Sequence, residues 1–376
     1  MAAIGLIGPS WGPALVPARA EFHLSLLAAG TLLLLFGGLR AAGSAAAGLL
    51  SDRLPRGWLP AGAGAVLAAS LATVAMAPDW GVVLAGAGGI GLVFGILTTE
   101  VNALAATVPE TRARDLNLVN AAYGLGATLG PLALGLLLGA GLGWRPAFWA
   151  WAAVSIAPMA GLAAVAARAG SAPPQIRRGA LRARVDRAGP GLGVLAAMAF
   201  LYQGAGWTVA AWAPTWLVER FGAGLVTASV GSTAFYGFLT LGRLADAALL
   251  ARMPAGRVLW LQCATAAVAL GGLLAAPRAG VALAAFALAG FALGGVYPNL
   301  VARAAAMAPD RPGAMSGVIA TTGAVGVSLV PFGAGALGRA AGAGAIGWCL
   351  PALGLALAAL AWSQREPAGR PASAGR

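Results

Sequence analysis

Residues 24–50 read LSLLAAGTLLLLFGGLRAAGSAAAGLL, and the polar sequence SDRLPR follows at residues 51–56. Arg40 is the one charged residue within the apolar run. A helix of this length measures about 40 Å at 1.5 Å per residue, which is enough to cross about 30 Å of hydrocarbon. The stretch therefore predicts a transmembrane helix that ends at a charged loop.

Similar apolar runs recur along the whole chain. Of its 376 residues, 60% are hydrophobic and 9% are charged, and the mean hydropathy is +0.83. Water-soluble domains do not sustain such a composition, so we expect an all-α integral membrane protein with twelve transmembrane helices. The predicted spans are residues 2–17, 24–50, 58–77, 81–108, 116–141, 147–167, 191–218, 225–250, 258–276, 281–308, 314–337 and 345–362.

The longest polar interval divides these spans into two sets of six. It contains six arginines and the pair Pro173-Pro174. The predicted units are an N-terminal six-helix bundle at 1–167, a basic cytoplasmic linker at 168–189, a C-terminal six-helix bundle at 190–362 and a disordered cytoplasmic tail at 363–376.

An internal repeat supports this division. Residues 91–137 resemble residues 291–337 at an offset of 200, with Pro109-Glu110 matching Pro309-Asp310. Parallel six-helix repeats predict two pseudo-symmetric bundles with a site between them.

The first and seventh spans also align. Trp11-Gly12-Pro13 matches Trp212-Ala213-Pro214 at an offset of 201, which places Met1 opposite Tyr202. Because the seventh span begins near Gly191, we expect the first helix to be about ten residues short, either truncated or continued upstream of Met1 in the native protein.

All 24 basic residues are arginine, and the formal net charge is +13. Most of them fall in the loops of one side, so the positive-inside rule predicts a multi-pass protein of the cell (inner) membrane with a cytoplasmic C-terminus. The basic surface is expected to face lipid headgroups rather than nucleic acid. With a single histidine, no lysine and two cysteines inside predicted spans, we expect no metal, no cofactor and no enzyme activity.

The loop after the second span resembles a motif of the major facilitator superfamily. Gly48-Leu-Leu-Ser-Asp52-Arg53-Leu-Pro-Arg56 is similar to the family's G-x-L-x-D-R-x-G-R, with Pro55 at a position where the family has glycine. The resemblance implies alternating access with a charged conformational latch. Its predicted members are Gly48, Asp52, Arg53, Arg56, Arg114, Arg243 and Asp246. The alternatives are a solvated, topogenic loop and, for Arg243 and Asp246 at spacing i,i+3, mutual neutralisation.

Three further stretches resemble the fucose/proton symporter and glucose/fucose transporter-like group. They are Thr99-Glu100-Val-Asn102 with Arg114-Asp-Leu-Asn117, Tyr202-Gln-Gly204 with Trp212-Ala-Pro-Thr215, and Gly242-Arg243 with Arg252-Met-Pro254. The resemblance implies a proton-coupled sugar transporter. The acid that the group carries in its seventh span is replaced by Gly206.

Glu100 and Arg40 are the predicted proton-coupling residues. An ionisable side chain inside a membrane is costly, at least about 2.5 to 3.5 kcal/mol, so it indicates function by default. A change of partner or burial can bind and release a proton at such a carboxylate. The alternative is a permanent Glu100–Arg40 ion pair.

A sugar site needs flat rings and neutral hydrogen-bonding groups. The candidates are Asn102, Asn120, Tyr123, Gln203, Trp207, Trp212, Tyr236 and Asn299. We therefore expect a monomeric secondary transporter that imports a small polar solute, in the first place a sugar, with protons. The alternatives are a proton-driven drug or metabolite exporter, facilitated diffusion and a transporter-like sensor that binds without translocating.

Overall fold

The computed structural model describes residues 1–50, 54, 58–105, 112–168, 189–308 and 312–365, and all regular secondary structure in them is helical. The helices are α1 (Ala2–Ile7), α2 (Trp11–Glu21), α3 (Leu26–Leu50), α4 (Trp58–Ala75), α5 (Trp80–Ala105), α6 (Arg112–Gly139), α7 (Arg145–Arg168), α8 (Gly189–Phe221), α9 (Leu225–Leu250), α10 (Ala255–Gly272), α11 (Ala279–Leu293), α12 (Val296–Met307), α13 (Pro312–Ala341) and α14 (Gly344–Ser363).

These helices form the twelve expected crossings, because α1 with α2 makes the first and α11 with α12 the tenth. Within the described residues, ten spans are long enough and apolar enough to cross a membrane, judged by length and composition alone. The first crossing and α10 are the other two. The first covers residues 2–21, whereas α8 has 33 residues, so the expectation of a short first helix is confirmed.

Two crossings are broken where the sequence weakens the helix. Between α1 and α2, Pro9 has no N–H to donate, and the Ser10 hydroxyl donates to the Leu6 carbonyl at 2.6 Å. Between α11 and α12, a Cβ on Gly294 would meet the Arg243 backbone, and one on Gly295 would meet the Asp246 carboxyl group. The second break therefore needs glycine for close approach to α9.

The buried apolar residues form two clusters, one mostly from residues 4–159 and the other mostly from residues 192–361. Close glycine contacts repeat between the two halves at an offset of 199. The equivalent pairs are Gly43–Leu92 and Gly242–Phe291, Gly91–Phe36 and Gly290–Phe235, and Gly95–Arg40 and Gly294–Leu239. The pseudo-symmetry expected from the sequence is therefore present as packing, although Gly95 corresponds to Gly294 rather than to Gly295.

The halves meet mainly along three helix pairs, α2 with α8, α3 with α13, and α6 with α9. Small residues permit this approach, since Gly12 faces the Ala210 carbonyl and Gly37 faces Ser328. Most of the predicted linker, at 169–188, and the tail from residue 366 lie outside the described residues. The domain boundaries thus stay a prediction.

Candidate functional site

A polar cluster lies where the two halves face each other. It contains all four tyrosines of the sequence and two arginines. We call it the tyrosine–arginine cluster, and its members are Arg40 (α3), Tyr123 (α6), Tyr202 (α8), Tyr236 and Arg243 (α9), and Tyr297 (α12). Because each half supplies one arginine, the cluster depends on both halves.

The contacts within the cluster are specific. The rings of Tyr202 and Tyr297 stack with centroids 5.9 Å apart and an interplanar angle of 20°. The guanidinium group of Arg243 lies beside the Tyr202 phenol, and both Arg40 and Arg243 act electrostatically on Tyr123 and Tyr236. The cluster thus combines aromatic faces, hydroxyl groups and two positive charges.

Arg40 crosses from its own half to an aromatic ring of the other. Its Cζ lies 5.6 Å from the centroid of the Trp207 ring, a cation–π contact. The Phe36 ring packs against the same indole at 5.4 Å, and Trp207 is buried. Trp207 therefore fixes Arg40 at the boundary between the halves.

Arg243 and Asp246 have different partners, although they are one turn apart on α9. Asp246 accepts a hydrogen bond of 2.8 Å from the Gln262 amide of α10, and both side chains are buried. Arg243 instead faces Tyr202, and its Nε is buried without a hydrogen-bond partner. This arrangement does not favour the mutual neutralisation considered from the sequence.

Glu100 and Asn102 lie on α5, and both are partly buried. Gly95 packs on the Arg40 carbonyl, so Glu100 is five residues, or about 7.5 Å, further along α5 than that contact. Within the described residues, the ion pairs are Arg19–Glu219 and Glu21–Arg145, and an Arg40–Glu100 pair is not among them.

The other predicted substrate-binding residues fall into two sets. Tyr123, Tyr236 and Trp207 belong to the cluster or contact it, whereas the fully buried Trp212 donates its Nε1 proton to the Pro331 carbonyl at 2.8 Å. The Asn299 amide donates to the Ala255 carbonyl at 3.3 Å. Trp212 and Asn299 thus hold helices together.

The side chains of Asn120 and Gln203 contact only their own helix or a neighbouring helix among the contacts that the structure describes. The exposed Asn120 donates to the Leu116 carbonyl of its own helix at 2.8 Å, and the partly buried Gln203 lies next to Gly323 of α13. Tyr202 and Tyr297 were not among the predicted site residues. The scarcity of tyrosine and its place in four spans could have indicated them.

The predicted latch is described only in part. Gly48 lies near the end of α3 and is partly buried, and Arg114 belongs to the first turn of α6. Asp52, Arg53 and Arg56 lie outside the described residues.

At one end of the bundle, two ion pairs join the ends of helices α2, α7 and α8. We call this end the clasped end and define it by Arg19, Glu21, Arg145 and Glu219. Arg19 Nη1 lies 2.7 Å from Glu219 Oε1 and so connects α2 to α8 across the halves. Arg145 Nη1 lies 2.6 Å from Glu21 Oε1. Sequence reasoning missed these pairs because their members are about 120 to 200 residues apart.

Reversing one charge of the Arg19–Glu219 pair is expected to lower stability slightly, and reversing both is expected to restore most of it. The side chains are 20% and 38% exposed, so solvent screens the pair and its coupling should be about 0.2 to 1 kcal/mol. A double-mutant cycle of Arg19→Glu and Glu219→Arg on the apparent melting temperature measures it. If the double variant lost as much stability as the two single variants together, the ion pair would contribute nothing to stability.

The twelve crossings in two similar halves, with a polar cluster between them, define a membrane transporter. The chain belongs to the Major Facilitator Superfamily, whose sequence profile matches residues 2–331. It is accordingly a transporter and not an enzyme.

Solved structures share the fold at low sequence identity. A bacterial homologue of the human lysosomal transporter Spinster, in an inward-facing and occupied conformation, has a TM-score of 0.78 and 16% identity over 96% of this chain and 94% of that one. The nucleoside transporter NupG has a TM-score of 0.72 and 13% identity over 96% and 95%. A D-xylose–proton symporter has a TM-score of 0.71 and 16% identity over 96% and 95%. No curated protein sequence matches the chain.

Proposed function

We propose that the protein moves a small, polar, hydroxylated solute across the cell membrane by proton-coupled alternating access. The observation that carries this proposal is the tyrosine–arginine cluster, which lies between the halves and takes side chains from both. A site built in this way changes its access when the halves rotate against each other.

The clasped end is the external end in this proposal. The positive-inside distribution of arginine supports that orientation, because α7 ends and α8 begins opposite the clasped end, and the sequence between them is the most arginine-rich of the chain. The close contacts between the halves that involve Gly135, Gly139 and Gly335 lie between the clasped end and the middle of the helices. The conformation is then inward-facing, as is that of the Spinster homologue with the similar fold.

Protons are proposed to couple through Glu100, with Arg40 as the group that can lower its proton affinity. Both residues belong to the N-terminal half, on α5 and α3, which pack closely. An approach of the guanidinium group to the carboxylate favours the charged form, and separation favours the protonated form. Asp52, Arg53, Arg56 and Arg114 are proposed as the latch that responds to the same movement.

A sugar-like solute fits the chemistry of the cluster. Tyrosine and tryptophan rings offer apolar faces to C–H groups, and phenols both donate and accept hydrogen bonds. Similar folds occur in a D-xylose–proton symporter and in the nucleoside transporter NupG. This similarity supports hydroxylated solutes as the first class to test.

The test uses purified protein in liposomes that contain a pH-sensitive dye. Addition of D-xylose, uridine or sodium D-glucuronate is expected to move protons into the vesicles for at least one solute, and a protonophore should collapse the accumulated solute. Counterflow without proton movement would contradict proton-coupled transport and would indicate facilitated diffusion. Binding without counterflow would contradict transport and favour a sensor.

A further inference from the structure

We propose that the transported solute carries an anionic group, a carboxylate or a phosphate, that binds between Arg40 and Arg243. The inference rests on the proposed function, because it names the substrate class of the same site. Its basis is the composition of the tyrosine–arginine cluster, which contains two permanent positive charges, one from each half.

The two guanidinium groups come from opposite halves, and each contacts an aromatic side chain of α8, Arg40 at Trp207 and Arg243 at Tyr202. Tyr202 and Trp207 are five residues, or about 7.5 Å, apart along α8, so both guanidinium groups lie along the same stretch of that helix. Arginine stays protonated even when it is buried. A permanent charge within a membrane-spanning bundle is costly unless a counter-charge or a water-filled cavity compensates it.

Among the described residues, neither arginine has a carboxylate within salt-bridge distance, since the two ion pairs there lie at the clasped end. Arg40 rests on the Trp207 ring, and the Nε of Arg243 is buried without a hydrogen-bond partner. Asp246, the acid nearest to Arg243 in sequence, accepts its hydrogen bond from Gln262 instead.

The hydrogen-bonding balance of the cluster also favours an anion. Guanidinium groups are donors only, and they bind carboxylate and phosphate through paired N–H groups. Phenol O–H groups add further donors, while the stacked rings of Tyr202 and Tyr297 offer an apolar face. The ligand class that satisfies all of these groups is a hydroxylated organic anion, such as a sugar acid or a sugar phosphate.

The inference is tested by binding, independently of transport. The apparent melting temperature of the purified, detergent-solubilised protein is titrated with sodium D-glucuronate and with inorganic phosphate, against D-glucose plus sodium chloride at equal ionic strength. At least one of the two anions is expected to stabilise the wild type, whereas glucose with chloride should not. Arg40→Gln and Arg243→Gln are each expected to weaken the response at least about tenfold, because each removes a charge-assisted pair.

Two sets of variants separate binding from folding. Arg40→Lys and Arg243→Lys retain the charge but lose the paired geometry, and should keep part of the response. Arg339→Gln, an exposed arginine at the end of α13, should respond like the wild type. An unchanged response in the Arg40→Gln and Arg243→Gln variants, or no stabilisation of the wild type by either anion, overturns the inference.

The outcomes for the two proposals are distinct. Anion stabilisation without counterflow contradicts the transport function and leaves the anion site standing. Proton-coupled movement of D-xylose or uridine with no response to either anion supports transport and overturns the anion site.

Discussion

Glu100→Gln is expected to abolish proton-driven accumulation of solute while counterflow is retained. A gradient of one pH unit is worth about 1.4 kcal/mol, so in the absence of a membrane potential a transporter that moves one proton per solute molecule accumulates the solute about tenfold. A glutamine in place of Glu100 cannot bind and release a proton, and the accumulation ratio should fall to about one. The measurement is uptake of labelled solute into liposomes under an inward proton gradient, followed by counterflow without a gradient.

The matched control for this change is Asp79→Asn. Asp79 precedes α5, and its carboxylate accepts a hydrogen bond from the Val82 N–H at 3.0 Å. Asparagine serves as well in such a cap, so accumulation should be unaffected. Undiminished accumulation in Glu100→Gln would remove this residue from the coupling mechanism. Loss of counterflow as well would indicate a structural or binding role.

Gly12→Ala is expected to shift the equilibrium away from the clasped conformation and to impair transport. A methyl group at Gly12 would meet the carbonyl oxygen of Ala210 and the Cα of Ala211, which belong to α8 of the other half. Backbone atoms cannot move aside as a flexible side chain can. We expect a cost of about 1 to 3 kcal/mol, which corresponds to about 5- to 150-fold in the equilibrium.

Cross-linking measures this shift directly. The pair Arg19→Cys and Glu219→Cys replaces two side chains that touch at the clasped end, in a background of Cys263→Ala and Cys349→Ala. Addition of Gly12→Ala should slow disulfide formation at least about fivefold.

Gly193→Ala on α8 is the control for Gly12→Ala, because a methyl group at Gly193 meets nothing within 4 Å and raises helix propensity by about 1 kcal/mol. The cross-linking rate of this variant should match that of its parent. Equal rates with and without Gly12→Ala would show that the seam between α2 and α8 tolerates the methyl group.

Sequence reasoning was most successful where one physical effect dominates. A chain that has lipid as its solvent must form long apolar helices, so the crossings could be located from stretches such as residues 24–50. Repeated prolines and glycines indicated two similar halves. It did not resolve the break at Gly294-Gly295, since glycine in a membrane helix is compatible with both a continuous and a broken helix.

The site was harder to predict, because it depends on helix rotation and on contacts between distant parts of the chain. Tyr123, Tyr236 and Trp207 could be chosen as polar or aromatic groups within spans. Trp212 belongs to the same residue class, yet its indole N–H is taken by Pro331. The relative positions of Arg40 and Glu100 also depend on helix packing, which places Gly95 rather than Glu100 beside the Arg40 backbone.

The glycine contacts within each half differ from those between the halves, and this difference should affect the rate of the transport cycle. Within each half, Gly95 and Gly294 press helix backbone against helix backbone, so each half should move as a rigid body. Between the halves, Gly124 and Gly135 of α6 pack mainly on the short side chains of Thr240 and Ser229 of α9, whereas Gly12 of α2 packs on the backbone of Ala210 of α8. Separating α6 from α9 requires little rotamer rearrangement, so the packing part of the activation barrier to reorientation should come mainly from the contact between α2 and α8.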